Sequence, residues 1–254
     1  MRDEMLAIIA KQGRFVFESQ NVAICRTNTQ IEGVNLAETI LNTMIDTRTA
    51  LFLSGGRTPK DLYSLLADDE QIEPGAVALI DERYGEKLHS NSNENMLRTT
   101  GLIQYFSWRH MPFYPVIQEN KSVDIVATEY DETIRYLLSQ FPRSFGVLGI
   151  GLDGHTAGIA GERADFHNPL FDQEQNDKVV SWFDDFSGPF QTRVTMTFAG
   201  LSLLDVMLVL VLGDDKKEAL EKTFSPGSIE AVPARFFTLP EIAPKVVLIT
   251  DQYF

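Results

Sequence analysis

The chain has 254 residues, 44% hydrophobic and 23% charged, with 36 acidic against 22 basic side chains and a net charge of −14. That length builds one sizeable α/β domain with a buried core, and no linker-like or single-charge stretch divides residues 1–254. Disorder is excluded by the composition, and the acidic balance disfavours non-specific contact with nucleic acid or anionic membrane.

Taken in chain order, short apolar runs alternate with longer segments of helical spacing. Phe15–Phe17 and Val22–Cys25 read as a hairpin, and Glu32–Ile45 as a helix with Val34, Ala37, Ile40, Leu41 and Met44 on one face. Ala50–Leu53 is a buried strand, followed by a glycine turn and a helix over Pro59–Ala67. Ala76–Ile80 reads as a strand, Glu94–Phe106 as mostly helical, and Val123–Leu138 as an amphipathic helix. Strands then follow at Phe145–Ile150, Val179–Phe183, Val194–Thr197 and Val206–Leu212, with a helix over Asp214–Thr223 and a last strand at Val246–Ile249. Such alternation predicts a doubly wound, mostly parallel sheet with helices on both faces.

Cys25 is the only cysteine, so no intrachain disulfide forms and a reducing compartment is the simpler reading. Met1–Met5 carries two acids rather than the apolar core of a signal peptide, and Val206–Leu212 is far too short to span a bilayer. A cytoplasmic location is expected. His89, His110 and His167 have no metal-ligand spacing, so no structural metal is expected.

Four segments carry chemistry. Gly149-Ile-Gly-Leu-Asp-Gly-His-Thr-Ala157 follows an apolar strand, at the sheet edge where ligands bind in open α/β folds. It presents Asp153 beside His155, and histidine suits proton transfer near neutral pH. Ser54-Gly-Gly-Arg-Thr-Pro59 offers backbone N–H groups and hydroxyls at a helix start, with Thr58 as the expected N-cap and Pro59 at the first helical position. It is either an anion cradle or a well-capped turn. Asp81-Glu-Arg83 ends another strand and faces solvent or a polar ligand, while Asn91–Asn95 either hydrogen-bonds a sugar or caps the next helix, with capping the expected role for the stretch taken alone. Arg193 opens a late strand, and Lys216 opens a helix against the preference of the helix dipole, as a lysine facing a bound anion would. Trp108 and Trp182 are expected in core or rim packing, and Trp182–Phe190 as a loop covering a pocket.

In order along the chain, Ser-Gly-Gly-x-Thr-Pro at 54–59, Asp-Glu-Arg at 81–83, Ser-Asn at 92–93, Leu-Gly-x-Gly-x-Asp-Gly-His-Thr-Ala at 148–157, Arg-Val-Thr-x-Thr at 193–197 and Gly-x-x-Lys at 213–216 resemble the 6-phosphogluconolactonase family. The resemblance implies hydrolysis of 6-phosphoglucono-δ-lactone to 6-phosphogluconate in the oxidative pentose phosphate pathway, without metal or organic cofactor. Ser54, Gly55, Gly56, Thr58, Arg193 and Lys216 would hold the phosphate, with Arg83, Asp153 and His155 catalytic. It further implies a small phosphorylated sugar lactone as partner, no nucleic acid or membrane, and a plausible monomer. The chain departs from the family at Gly158-Ile-Ala-Gly161, where Ser-Leu-Phe-Pro-Gly is usual. The alternative readings are a glucosamine-6-phosphate deaminase and a non-catalytic sugar-phosphate sensor. The deaminase pattern places a glutamate five positions past the histidine, where this chain has Ala160, with Glu162 two residues further on.

Overall fold

The computed structural model describes residues 1–161, 177–184 and 191–254. Glu162 and His167, and the 185–190 part of the expected covering loop, lie outside the described residues.

The chain opens with a helix that the sequence reading did not anticipate, α1 (Arg2–Lys11). Asp3 and Glu4 in its first turn and Lys11 in its last suit the helix dipole, and Met5, Ile8 and Ile9 face inward. The expected hairpin follows as β1 (Val16–Ser19) and β2 (Val22–Arg26). Gln20 and Asn21 both take positive φ, 48° and 64°, the two left-handed residues that a tight hairpin turn requires. Helix α2 (Gln30–Met44) begins two residues earlier than its apolar pattern, because the Thr29 side chain caps it by accepting from Glu32 N–H. Then come β3 (Thr49–Leu53), α3 (Arg57–Asp69), β4 (Ala76–Leu79) and β5 (Asp81–Arg83).

The single helix expected over Glu94–Phe106 is two, α4 (Asn93–Thr99) and α5 (Leu102–Trp108), separated by Gly101 at φ +86°. A two-residue strand, β6 (Phe113–Tyr114), precedes α6 (Val123–Gln140) and β7 (Arg143–Gly149). β8 (Val180–Asp184), β9 (Thr192–Met196), α7 (Phe198–Ser202) and β10 (Val206–Val211) follow. A 3₁₀ turn over Asp214–Lys216 then feeds α8 (Lys217–Phe224), and β11 (Val246–Thr250) completes the sheet. Among the described residues no helix is long and apolar enough to cross a membrane.

Eight strands form one twisted sheet in the order β1-β2-β11-β10-β7-β3-β4-β6. Only the β1/β2 pair is antiparallel, as the doubly wound reading expects. β10 is buried along all six residues, which explains why it reads as an unbroken apolar run. The remaining strands do not join this sheet. β5, β9 and β8 make a separate antiparallel sheet, with Arg83 opposite Arg193 and Arg193 opposite Phe183. From β3 the chain moves outward to β4 and β6, then returns to place β7 on the other side of β3. Strand order therefore reverses between β3 and β7, and a crevice opens at their carboxyl ends.

Candidate active site

A cleft of about 790 Å³ occupies that crevice. Its walls are the loops leaving β3, β4, β7 and β10. Ser54, Gly55, Gly56, Thr58, Arg83, His155 and Lys216 all line it, so the structure gathers seven of the nine residues singled out from the sequence. Asp153 is not among the lining residues and holds the His155 ring through its carboxylate. Arg193 is not among the lining residues, and sits on β9 directly across from Arg83.

The elbow after β7 fixes the histidine. His155 Nδ1 lies 2.5 Å from Asp153 Oδ1, and the same oxygen accepts the His155 backbone N–H at 3.1 Å. With Nδ1 donating to the carboxylate, the neutral ring carries its lone pair on Nε2. That hydrogen bond, against some desolvation, holds the Asp153 carboxyl down to about 2. The imidazole lies over Gly151, where an added Cβ would fall 2.0 Å from two ring atoms. Gly151 N–H donates to His155 C=O at 2.8 Å, and Gly154 C=O accepts from Ala234 N–H at 2.9 Å, so the elbow is braced from within and from behind.

The loop after β3 departs from the expected capping. Gly56, at φ +118°, precedes the helix, Arg57 is its first residue, and no side chain caps it among the described residues. Thr58 is therefore inside the first turn rather than at the N-cap, and its hydroxyl donates to Leu212 C=O at 3.3 Å, tying this loop to the end of β10. Pro59 falls third rather than first. Its missing N–H costs nothing there, since the first-turn N–H groups have no helical partner. Ser54 is 4% exposed, and its Oγ has no hydrogen-bond partner among the described residues. An unpaired buried hydroxyl costs free energy unless a ligand satisfies it. From below, the fully buried Tyr63 donates to Ser54 C=O at 2.8 Å.

Lys216 enters from the 3₁₀ turn after β10, and its Nζ donates to Ile150 C=O at 2.7 Å. Burial pulls its ammonium below the ordinary lysine value; Asp215 opposes the shift, Arg57 adds to it and Asp153 opposes it. Desolvated cations of this kind gain most from an anionic partner.

Asp81-Glu-Arg83 divides its labour. Asp81, 5% exposed, lines the cleft and accepts from Asn93 Nδ2 at both its backbone and side-chain oxygens, at 2.9 and 3.2 Å. Glu82 turns away and accepts from Arg83 N–H, Ser92 Oγ, Asn93 N–H and Glu94 N–H at 2.7–2.9 Å. Burial pushes its carboxyl up while those four donors pull against the shift. Glu82 is thus a carboxylate plug at the start of α4. Arg83 Nη1 donates to Asn91 C=O at 2.5 Å, and its buried Nε has no partner among the described residues.

Among the other lining residues, Arg57 was not singled out from the sequence, while Asp81 and Asn93 each carried two readings, a polar ligand against solvent for Asp81 and a sugar against a helix cap for Asn93. Within the Asn91–Asn95 stretch Ser92 is the residue that caps α4, accepting from Asn95 N–H at 3.0 Å. That frees Asn93 to fill the space beside Gly55, where an added Cβ would sit 1.9 Å from its amide oxygen. Two glycines in sequence across from an asparagine were the available signal. Of the tryptophans, Trp182 donates to Asp124 at 2.8 Å on the rim, while Trp108 is 68% exposed. No cluster of His, Cys, Asp and Glu suited to a metal occurs among the described residues.

The family model described as glucosamine-6-phosphate isomerases/6-phosphogluconolactonase matches residues 31–244. The 6-phosphogluconolactonase of Xylella fastidiosa (strain 9a5c) is 31% identical over 182 residues, spanning 70% of this chain and 72% of that protein. The 6-phosphogluconolactonase of Nostoc sp. (strain PCC 7120) is 28% identical over 197 residues, spanning 74% and 77%. The crystal structure of a 6-phosphogluconolactonase from Shewanella baltica OS155 superposes with a TM-score of 0.74 at 21% identity, covering 90% of this chain and 97% of that one. By sequence and by fold, this chain belongs to the family of glucosamine-6-phosphate isomerases and 6-phosphogluconolactonases.

Proposed function

We propose that the protein hydrolyses 6-phosphoglucono-δ-lactone to 6-phosphogluconate, in the oxidative branch of the pentose phosphate pathway. The observation that carries the reading is the His155–Asp153 pair facing the same cleft as Lys216 and the unpartnered Ser54 hydroxyl. The same cleft offers both a proton acceptor and anion donors.

In the proposed reaction His155 Nε2 takes a proton from water as the water oxygen attacks the lactone C1 carbonyl. Asp153 holds the ring in the tautomer that leaves Nε2 free and stabilises the imidazolium that forms. Backbone N–H groups of the elbow, or the Arg83 guanidinium, stabilise the oxyanion. The C1–ring oxygen bond then breaks, the imidazolium returns its proton to the departing oxygen, and the new carboxylic acid ionises in water. Ser54, Gly55, Gly56, Thr58 and Lys216 would hold the 6-phosphate, with Arg193 contributing from behind Arg83. The same proposal describes a cytoplasmic protein that needs no metal, organic cofactor, nucleic acid or membrane; the acidic charge argues against nucleic acid and anionic membrane, and the single buried cysteine fits a reducing compartment.

The test is proton release on adding freshly generated lactone, measured above spontaneous hydrolysis, for the wild type, His155→Ala and His155→Asn. General base catalysis is worth roughly 10²–10⁴-fold, and both variants should lose about that much. Ammonia release from glucosamine 6-phosphate is followed in parallel. Nearly full turnover without His155, or ammonia in place of acid, would sink the proposal.

A further inference from the structure

The mouth of the cleft holds a charged pair that the proposed chemistry does not use. Arg57, the first residue of α3, reaches across to Asp215 in the turn after β10, with Nη2 3.3 Å from Oδ2. Both residues line the cleft, and their side chains are 91% and 48% exposed. A pair so open to water is screened and contributes little to stability, so it is easily exchanged. The arginine itself is oddly placed, since a cation in the first turn of a helix opposes the dipole. It also stands close enough to Lys216 to disfavour that residue's charge. Beneath both lie the Ser54 hydroxyl, buried and unpartnered among the described residues, and the uncapped start of α3. Donors are in excess, and the Asp215 carboxylate is what Arg57 pairs with.

We infer that Asp215 is an internal stand-in for the substrate phosphate, holding Arg57 poised over the Ser54–Thr58 loop until a phosphate monoester dianion takes its place. The inference rests on reading the cleft as the seat of a phosphorylated substrate. Arg57 then leaves a single monodentate contact for bidentate pairing with phosphate oxygens. A neutral sugar lactone offers nothing to displace the carboxylate, and a monoanion offers no more charge than the carboxylate already does. A dianion does better on both counts. Asp215 therefore sets a charge threshold for entry; it is a positioning residue that acts through Arg57.

The experiment compares wild type, Arg57→Ala, Asp215→Asn and the double variant. It uses steady-state lactone opening together with calorimetric titration of inorganic phosphate. Arg57→Ala should raise KM about tenfold while kcat stays within about twofold, as expected for loss of a charge-assisted contact remote from the reacting carbon. Asp215→Asn should bind phosphate roughly threefold more tightly, the scale of an exposed ion pair, with an unchanged melting temperature. That gain should shrink when Arg57 is absent. An unchanged KM in Arg57→Ala would overturn the inference, as would an equal gain from Asp215→Asn in both backgrounds. Calorimetry needs no turnover, so the two readings fail separately. Phosphate coupling without lactone opening would overturn the reaction alone, and lactone opening without the coupling would overturn the role of Asp215.

Discussion

His155 has little freedom to be anywhere else. Its ring rests on the bare Cα of Gly151, one nitrogen is held by Asp153, and its backbone carbonyl is bonded to Gly151 N–H. Preorganisation of this kind places Nε2 before the substrate arrives. It also makes a pH prediction at the scale of one residue. The Asp153 carboxyl is lowered to about 2 by the hydrogen bond from His155, below its ordinary value of 3.8. A depressed acid contributes stability that is complete above the ordinary value and is lost as pH falls through about 2. The His155 and Asp153 side chains are 47% and 65% exposed, so solvent screening keeps that contribution small. A carboxyl-carbon NMR titration should find the Asp153 midpoint near 2 in the wild type and back near 3.8 in His155→Ala; an unmoved midpoint would show that the imidazole is not its partner. Residues such as His155, Ser54 and Lys216 were legible in sequence because each sits within a few positions of a strand end, where glycines announce a turn. The contact between Asp81 and Asn93 was not, since their meeting depends on Glu82 pinning α4 in place, a contact between segments ten or more residues apart.

At the scale of elements, the short strand β6 leaves a gap that a helix fills. β6 pairs with Val77 and Ala78 of β4 and then stops. At the next position Leu79 finds its partner in Tyr130 of α6, whose hydroxyl accepts from Leu79 N–H at 2.8 Å and donates to Leu79 C=O at 2.7 Å. One phenol thus substitutes for a strand residue, fully buried, just before β4 leads into the Asp81 wall of the cleft. Tyr130→Phe would leave two buried backbone groups unsatisfied, at a cost of about 1–3 kcal/mol each before any relaxation. Urea unfolding should show a lower midpoint with an unchanged slope; an unchanged midpoint would mean that water reaches Leu79 easily. The apolar pattern could announce α6, but it could not assign a hydroxyl on its buried face to another element's backbone. The same limit hid the second sheet. β5 pairs with a strand more than a hundred residues later, and nothing local in Asp81-Glu-Arg83 distinguishes that from a simple strand end.

Across the whole molecule, strand order decides what solvent can reach. Cys25 lies on β2, fully buried between β1 and β11, and burial pushes its thiol up to about 11 despite the nearby Arg14 charge. Native protein at neutral pH should therefore resist alkylation and disulfide reagents, while protein in denaturant reacts at once. The native rate then reports opening of that side of the sheet, and immediate labelling without denaturant would show that β2 is loosely held. The alternation of strands and helices announced a doubly wound sheet, yet it gave no order for the strands, because order is set by packing between distant segments.

That order has a consequence for how the chain is made. β11, at residues 246–250, lies between β2 and β10, so the α1–β2 segment has no place in the main sheet until β11 exists. Translation proceeds at about 5–20 residues per second, so on the order of ten seconds or more separates synthesis of the two strands. During that interval Val22–Cys25, four residues destined for complete burial, have only β1 beside them in the main sheet and lack β11 on their other edge. Of the paired strands in the main sheet, β2 and β11 lie furthest apart in sequence, so the β2 edge is the part of the growing chain that waits longest for its partner.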